Sequence, residues 1–109
     1  GPLASQYPKI VQLTAAGTSG WIPIDLGTFR NGVGLVATIS DGGSAAYSVE
    51  VTGDRLDSAP VYWNPHDLLR DLTCAANGNL AYPVTAVRLN AATVVSGTTL
   101  QLSVIQVTG

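Results

Sequence analysis

The chain has 109 residues and a net charge of −2, a length that fits one small domain. Its basic residues are few and scattered, so we exclude non-specific binding to nucleic acid or to an anionic membrane surface, which needs clustered positive charge. Charged residues make up 11% of the chain and hydrophobic residues 46%, so charge alone cannot cover the surface. We expect small polar residues to cover much of that surface. Other protein chains, including further copies of this one, would cover the remainder.

The first residues indicate where the domain begins, and the cysteine content indicates the compartment in which it folds. Residues 1–5, GPLAS, are typical of the remnant of a cleaved purification tag, so we assign 6–109 to a single domain. Cys74 is the only cysteine, and the resulting absence of an intrachain disulfide fits folding in a reducing cytosol. No apolar run approaches the roughly 20 residues of a membrane-spanning helix.

The first half of the chain predicts short strands separated by turns. Residues 9–13, KIVQL, form the first strand candidate. Residues 21–26 alternate in polarity, but Pro23 cannot donate to a sheet, so this strand should lie at an edge or beside a bulge. Alternating segments on either side of Asp-Gly-Gly at 41–43 predict a β-hairpin over 33–52, since glycine supplies the backbone angles of a tight turn.

A short helix is predicted near 65–72. Asn64 has the side chain of a helix cap, Pro65 suits the first helical position, and Asp67 would face the positive end of the helix dipole. The leucines at 68, 69 and 72 have helical spacing. The glycine and asparagines that follow would end the helix within about two turns.

Two more strands complete the predicted fold. Residues 84–92 alternate in polarity, and 98–107 place Leu100 on an inward face with its neighbours at 102 and 104. Ile105 and Val107 are apolar on the opposite face, where they would pack under a loop or lie in a subunit interface. Six or seven short strands separated by turns predict an all-β fold, an antiparallel, jelly-roll-like β-sandwich with one short helix.

The sequence contains no arrangement that is typical of catalysis or metal binding. His66 is the only histidine, and its one possible thiol partner, Cys74, lies in an apolar context typical of a buried cysteine. Asp54 and Asp57 lack the ligand spacing of a calcium loop, and Glu50, the only glutamate, lies on an outward strand face. We therefore expect no enzymatic activity, no cofactor and no metal.

The aromatic residues leave three hypotheses open. Trp21, Tyr62 and Trp63 would fill the core, lie in a protein interface, or form a stacking platform for a sugar. His66 would be solvated, hydrogen-bonded locally, or part of an interface. The predicted interface residues are Trp21, Tyr62, Trp63, His66, Ile105 and Val107.

Four segments, in fixed order and spacing, lie within a span that covers more than half of the chain: YSVEVTGD at 47–54, WNPH at 63–66, ANGNLAYPVTAVRLN at 76–90 and SGTTLQLSVIQ at 96–106. In these segments the chain resembles a group of small all-β virion proteins of tailed bacteriophages. Proteins of this group have no known catalytic activity and lie on the capsid or in the tail.

The resemblance implies a non-enzymatic virion protein, made in the cytoplasm of the bacterial host, that decorates or cements the capsid through protein–protein contacts. Its partners would be further copies of itself and the major capsid protein or another virion protein. A homotrimer is favoured because capsids offer threefold sites. The alternative is a jelly-roll module of a tail fibre that binds a host-surface glycan through Trp21, Tyr62 or Trp63.

Overall fold

The computed structural model describes residues 7–27 and 32–106, and these form nine strands in two antiparallel sheets. The tag remnant expected at 1–5 and the predicted interface residue Val107 lie outside the described residues. The strands in chain order are β1 (Lys9–Leu13), β2 (Gly17–Thr18), β3 (Ile22–Pro23), β4 (Val33–Ile39), β5 (Ala45–Thr52), β6 (Asn64–Pro65), β7 (Ala76–Asn79), β8 (Ala86–Val94) and β9 (Leu100–Gln106).

The strand order is that of a jelly roll. Sheet A contains β1, β9, β4 and β7 in that order, and sheet B contains β2, β8, β5 and β6, with β3 also paired to β8. Strand β1 pairs with β9, β2 and β3 both pair with β8, β4 pairs with β7, and β5 pairs with β6. With β2 and β3 counted as one interrupted strand, each of these pairs is nested inside the previous one along the chain. This nesting confirms the predicted all-β, jelly-roll-like sandwich.

The core lies between the two sheets and is made by the inward faces of the four long strands. The alternation predicted for these strands is confirmed on their inward faces, where Leu35, Val49, Leu89 and Leu102 have no exposed surface. The alternation of β5 predicts an outward-facing side chain at Thr52, but this residue is buried. Its hydroxyl accepts the Asp54 N–H at 3.1 Å where the chain leaves β5, so the side chain is satisfied without water.

The predicted hairpin over 33–52 is wrong, because β4 lies in sheet A and β5 in sheet B. The turn itself forms: Gly42 has a φ of 74°, and the Gly43 N–H donates to the Ser40 carbonyl at 2.8 Å. However, the turn is packed against Thr98, to whose side chain a Cβ on Gly43 would come within 2.8 Å. The turn therefore carries the chain across the sandwich, and each strand brings its apolar face to the core from a different layer.

The predicted helix near 65–72 is also wrong, because this segment follows the edge of β5. Asn64–Pro65 forms β6, the His66 N–H donates to the Val49 carbonyl at 2.8 Å, and the Val49 N–H donates to the Leu69 carbonyl at 2.7 Å. Backbone groups that a helix would pair internally are instead paired with the sheet. The tertiary contact outweighs the local helix signals.

Candidate functional site

Both tryptophans lie on the outer face of sheet B. Trp21 directly precedes β3, which pairs with β8, and Trp63 directly precedes β6, which pairs with β5. The two indoles therefore approach from opposite sides of the β5–β8 pair, and their ring centroids are 5.7 Å apart with planes inclined by 32°. Trp21 is 42% exposed and Trp63 is partly buried. We call Trp21 and Trp63 the indole pair.

An ion pair contacts the indole pair. The Arg88 guanidinium carbon lies 4.3 Å from the centre of a Trp63 ring, within the range of a cation–π contact. Arg88 Nε donates to Glu50 Oε1 at 2.8 Å, and Asn90 Nδ2 donates to Glu50 Oε2 at 3.0 Å. The side chains of Glu50 and Arg88 are only 13% and 20% exposed. The charge of the Glu50 carboxylate is therefore balanced by Arg88 in a largely covered position, and a hydrogen bond holds each of its two oxygens.

A shallow hollow of about 250 Å³ lies beside this network on the same face. Its small side chains are Ala46 and Ala92, and its polar side chains are Ser48, Asp71 and Asn90. Asp71 has a φ of 52°, a left-handed conformation that asparagine and aspartate tolerate better than most residues. Its N–H donates to Ser48 Oγ at 2.9 Å, while its carboxylate side chain is 89% exposed.

His66 is placed inside the chain, at 9% exposure. Its Nδ1 accepts the N–H groups of Leu68 at 3.0 Å and Leu69 at 3.1 Å, so the proton of the neutral ring lies on Nε2. Nε2 donates to the Asn79 carbonyl at 2.7 Å. Both ring nitrogens are thus used to hold the segment after β6 against β7.

The outer face of sheet A differs from that of sheet B. Ile10, Val36 and Ile105 are between 37% and 48% exposed on it. Ile10 and Val36 both pair with Ser103, and Ile105 pairs with Gly34, so small residues separate the apolar ones. The only charged residue in the four strands of this sheet is Lys9, whose ammonium lies 5.3 Å from the ring of Tyr7.

The six predicted interface residues do not form one surface. Trp21 and Trp63 are brought together, whereas Ile105 lies on the opposite sheet. Tyr62 is 69% exposed, and its N–H donates to an Asp54 carboxylate oxygen at 2.7 Å. His66 is buried and Val107 is outside the described residues.

Sequence reasoning missed the polar partners of the indole pair. Alternation did place Glu50, Arg88 and Asn90 on outward strand faces, which is where they lie. Their contact depends on the pairing of β5 with β8, in which Glu50 lies opposite Arg88. Because the two strands are far apart in sequence, no local pattern reveals this register.

No family model matches the chain, and no match was found among curated proteins or solved structures. Within 7–27 and 32–106, no three His, Cys, Asp or Glu side chains are grouped so that they could hold a metal ion. No helix in the same ranges has the length and apolar character needed to cross a bilayer.

Proposed function

We propose that this chain is a non-enzymatic structural protein of a bacteriophage virion that decorates or cements the capsid through the outer face of sheet A. The observation that carries the proposal is the uncharged character of this face, with Ile10, Val36 and Ile105 exposed on it. The centres of protein interfaces are depleted in charged residues, and this face combines a low charge with exposed apolar side chains.

The virion assignment rests on the resemblance to small phage proteins, and the fold is compatible with it. Two of the segments that carry the resemblance contain β7 and β9, which are half of the strands of sheet A. Double-sheet jelly rolls build viral capsid and lectin domains. Because one fold hosts many functions, the proposal depends on the face itself rather than on the fold.

Binding to the capsid is tested by cosedimentation of the purified protein with heads of the encoding phage that lack it. Val36→Lys places a charge at the centre of the face, where burial in an interface without a partner is costly. We expect Val36→Lys to bind at least about tenfold more weakly. The matched control is Thr93→Lys, at an exposed position of sheet B, which should bind like the wild type. A folded Val36→Lys protein that cosediments normally would contradict the proposal.

The proposal includes self-association, with a homotrimer as the favoured state. We place the contact between copies at an apolar groove of about 270 Å³ whose lining includes Leu68, Leu80 and Tyr82. Leu68 is 79% exposed and Tyr82 is 50% exposed, so a second copy would cover apolar area. Mass measurement in solution should give three chain masses for the wild type and a smaller species for Leu68→Glu. A wild-type monomer at high concentration would contradict self-association.

A further inference from the structure

We propose that the outer face of sheet B is a carbohydrate-binding site, in which the indole pair stacks on a neutral sugar and the adjoining hollow binds its hydroxyl groups. The site lies on the sheet opposite the proposed capsid-binding face. It therefore goes beyond the structural role and can be tested independently of it.

The indole pair supplies the apolar half of the site. The chain has two tryptophans, and both lie on this outer face rather than in the core between the sheets. An indole offers a broad apolar surface together with an N–H donor, which matches a sugar ring that has C–H groups on its face and hydroxyls at its edge. Trp21, the more exposed of the two, is the residue we assign to direct stacking.

The hollow supplies the polar half. Ser48 Oγ accepts the Asp71 N–H and retains its own proton for donation. Asn90 gives one amide N–H to Glu50, which leaves Oδ1 and the second N–H without a partner among the described residues. With the Asp71 carboxylate, the hollow offers both donors and acceptors, and each hydroxyl of a sugar requires both.

The two halves are close enough for one small ligand. Trp63 packs on Arg88, and Asn90 follows Arg88 by two residues on β8, a separation of about 7 Å along the strand. A ligand of two sugar rings therefore spans the indole pair and the hollow. Glu50 holds Asn90 in place through a hydrogen bond and is itself held by Arg88, so the polar groups are ordered before the ligand arrives.

Charge selects a neutral ligand. The Glu50 carboxylate is balanced by Arg88 and is largely covered, which leaves Asp71 as the exposed charge of the hollow. Among the described residues, the nearest basic group to the Asp71 carboxylate is Arg70 Nε at 3.8 Å, a long contact between exposed side chains. An acidic sugar would meet this carboxylate at the hydroxyl-binding end, so we assign hexose and N-acetylhexosamine oligosaccharides as the ligand class.

Tryptophan fluorescence tests the proposal, because every tryptophan of the chain lies in the proposed site. The probes are lactose, maltose and N,N′-diacetylchitobiose, together with an array of neutral oligosaccharides of these sugar types. We expect at least one probe to shift the emission in a saturable manner at millimolar concentration or below. If none of the probes binds, the proposal is overturned.

Variants locate the binding by calorimetric titration with the probe that binds. Trp21→Ala and Asn90→Ala should each weaken binding by about tenfold, and Gln101→Ala, on the outer face of sheet A, should bind like the wild type. Circular dichroism identifies any variant that fails to fold, in which case the other variant decides. Normal binding by both folded variants would overturn the proposal. The Val36→Lys protein should lose capsid binding but retain sugar binding, which separates the two functions.

Discussion

His66 shows how one side chain can replace a helix cap. Its Nδ1 accepts the Leu68 and Leu69 N–H groups, as the side chain of a turn-forming aspartate or asparagine does, and its Nε2 reaches the Asn79 carbonyl. The sequence predicted a capped helix here, with Asn64 as the cap. That helix does not form, and the histidine rather than the asparagine binds the free backbone groups.

Replacement of His66 by alanine should destabilise the fold by about 3 kcal/mol, because one buried and two partly buried backbone groups lose their partner. His66→Asn should lose less, since its side-chain oxygen can accept the same N–H groups in an Asx turn. Chemical denaturation measures both, with Asp67→Ala at the exposed neighbouring position as the control. Equal stability of the alanine variant and the control would contradict this role.

Tyr47 is the buried phenol of sheet B, and its hydroxyl donates to the Cys74 carbonyl at 2.7 Å. Burial, followed by repulsion from Cys74, raises the pKa of Tyr47 from 10.0 to about 12. A proton held more tightly by the folded chain stabilises it while the proton remains bound. That contribution is therefore complete below pH 10 and is lost as the pH rises towards about 12.

Comparison of the wild type with Tyr47→Phe isolates this effect. The wild type should be more stable by about 1 kcal/mol below pH 10, the value of one buried hydrogen bond. The difference should shrink and then reverse in sign as the phenol of the wild type ionises. Urea denaturation at a series of alkaline pH values measures it, and a constant difference across the series would show that the Tyr47 proton is not linked to folding.

At the scale of elements, the positions of the long strands were predictable, whereas the short strands β6 and β7 and the strand partners were not. The strand predicted over 9–13 forms as Lys9–Leu13, and the edge placement expected from Pro23 is confirmed because β3 pairs only with β8. Alternation fixes which face of each strand is buried. It carries no information on which layer a strand joins, and for that reason the turn between β4 and β5 was predicted as a hairpin.

The turn that joins β4 to β5, which we call the arch, leaves no space for a side chain at Gly43. A Cβ there would lie 2.8 Å from two Thr98 side-chain atoms and 2.9 Å from the Ser40 carbonyl oxygen, which is backbone and cannot turn away. We expect Gly43→Ala to destabilise the protein by about 2 kcal/mol. The control is Gly53→Ala, where no atom lies within 4 Å of the added carbon and the backbone angle is ordinary. Equal denaturation midpoints for the two variants would contradict the arch.

The candidate site was only partly predictable for the same reason. Trp21 and Trp63 stand out in the sequence as aromatic residues, but nothing local indicates that they meet. Glu50 and Arg88 come together only through the register of β5 with β8, and Asp71 joins them because the expected helix is replaced by an edge segment. The sequence shows which residue types are available for the site, whereas the pairing of the strands determines which of them lie together.

At the scale of the whole molecule, the sandwich has two unlike outer faces. The strands of sheet A contain one charged residue, Lys9, and its outer face carries separated apolar side chains. Sheet B bears an ion pair, the indole pair and a polar hollow. A particle-bound module needs one face for attachment, which leaves the other exposed to the medium. The two proposals assign attachment to sheet A and carbohydrate binding to sheet B.

Attachment through an uncharged face should depend little on salt. Exposed charge pairs are screened at physiological ionic strength, with a Debye length of about 8 Å, whereas burial of apolar area is not weakened by salt. Affinity for phage heads should therefore change by less than about threefold from low to physiological salt. A steep loss of affinity with salt would indicate attachment through charged groups and thus a different face.

The location of the protein in a particle map tests the central claim most directly. Reconstruction of the encoding phage by electron microscopy should show the jelly roll on the capsid, with Ile10, Val36 and Ile105 of sheet A against the shell. The indole pair on sheet B should face the medium. Density for the protein in the tail, or on the capsid with sheet B against the shell, would contradict the account.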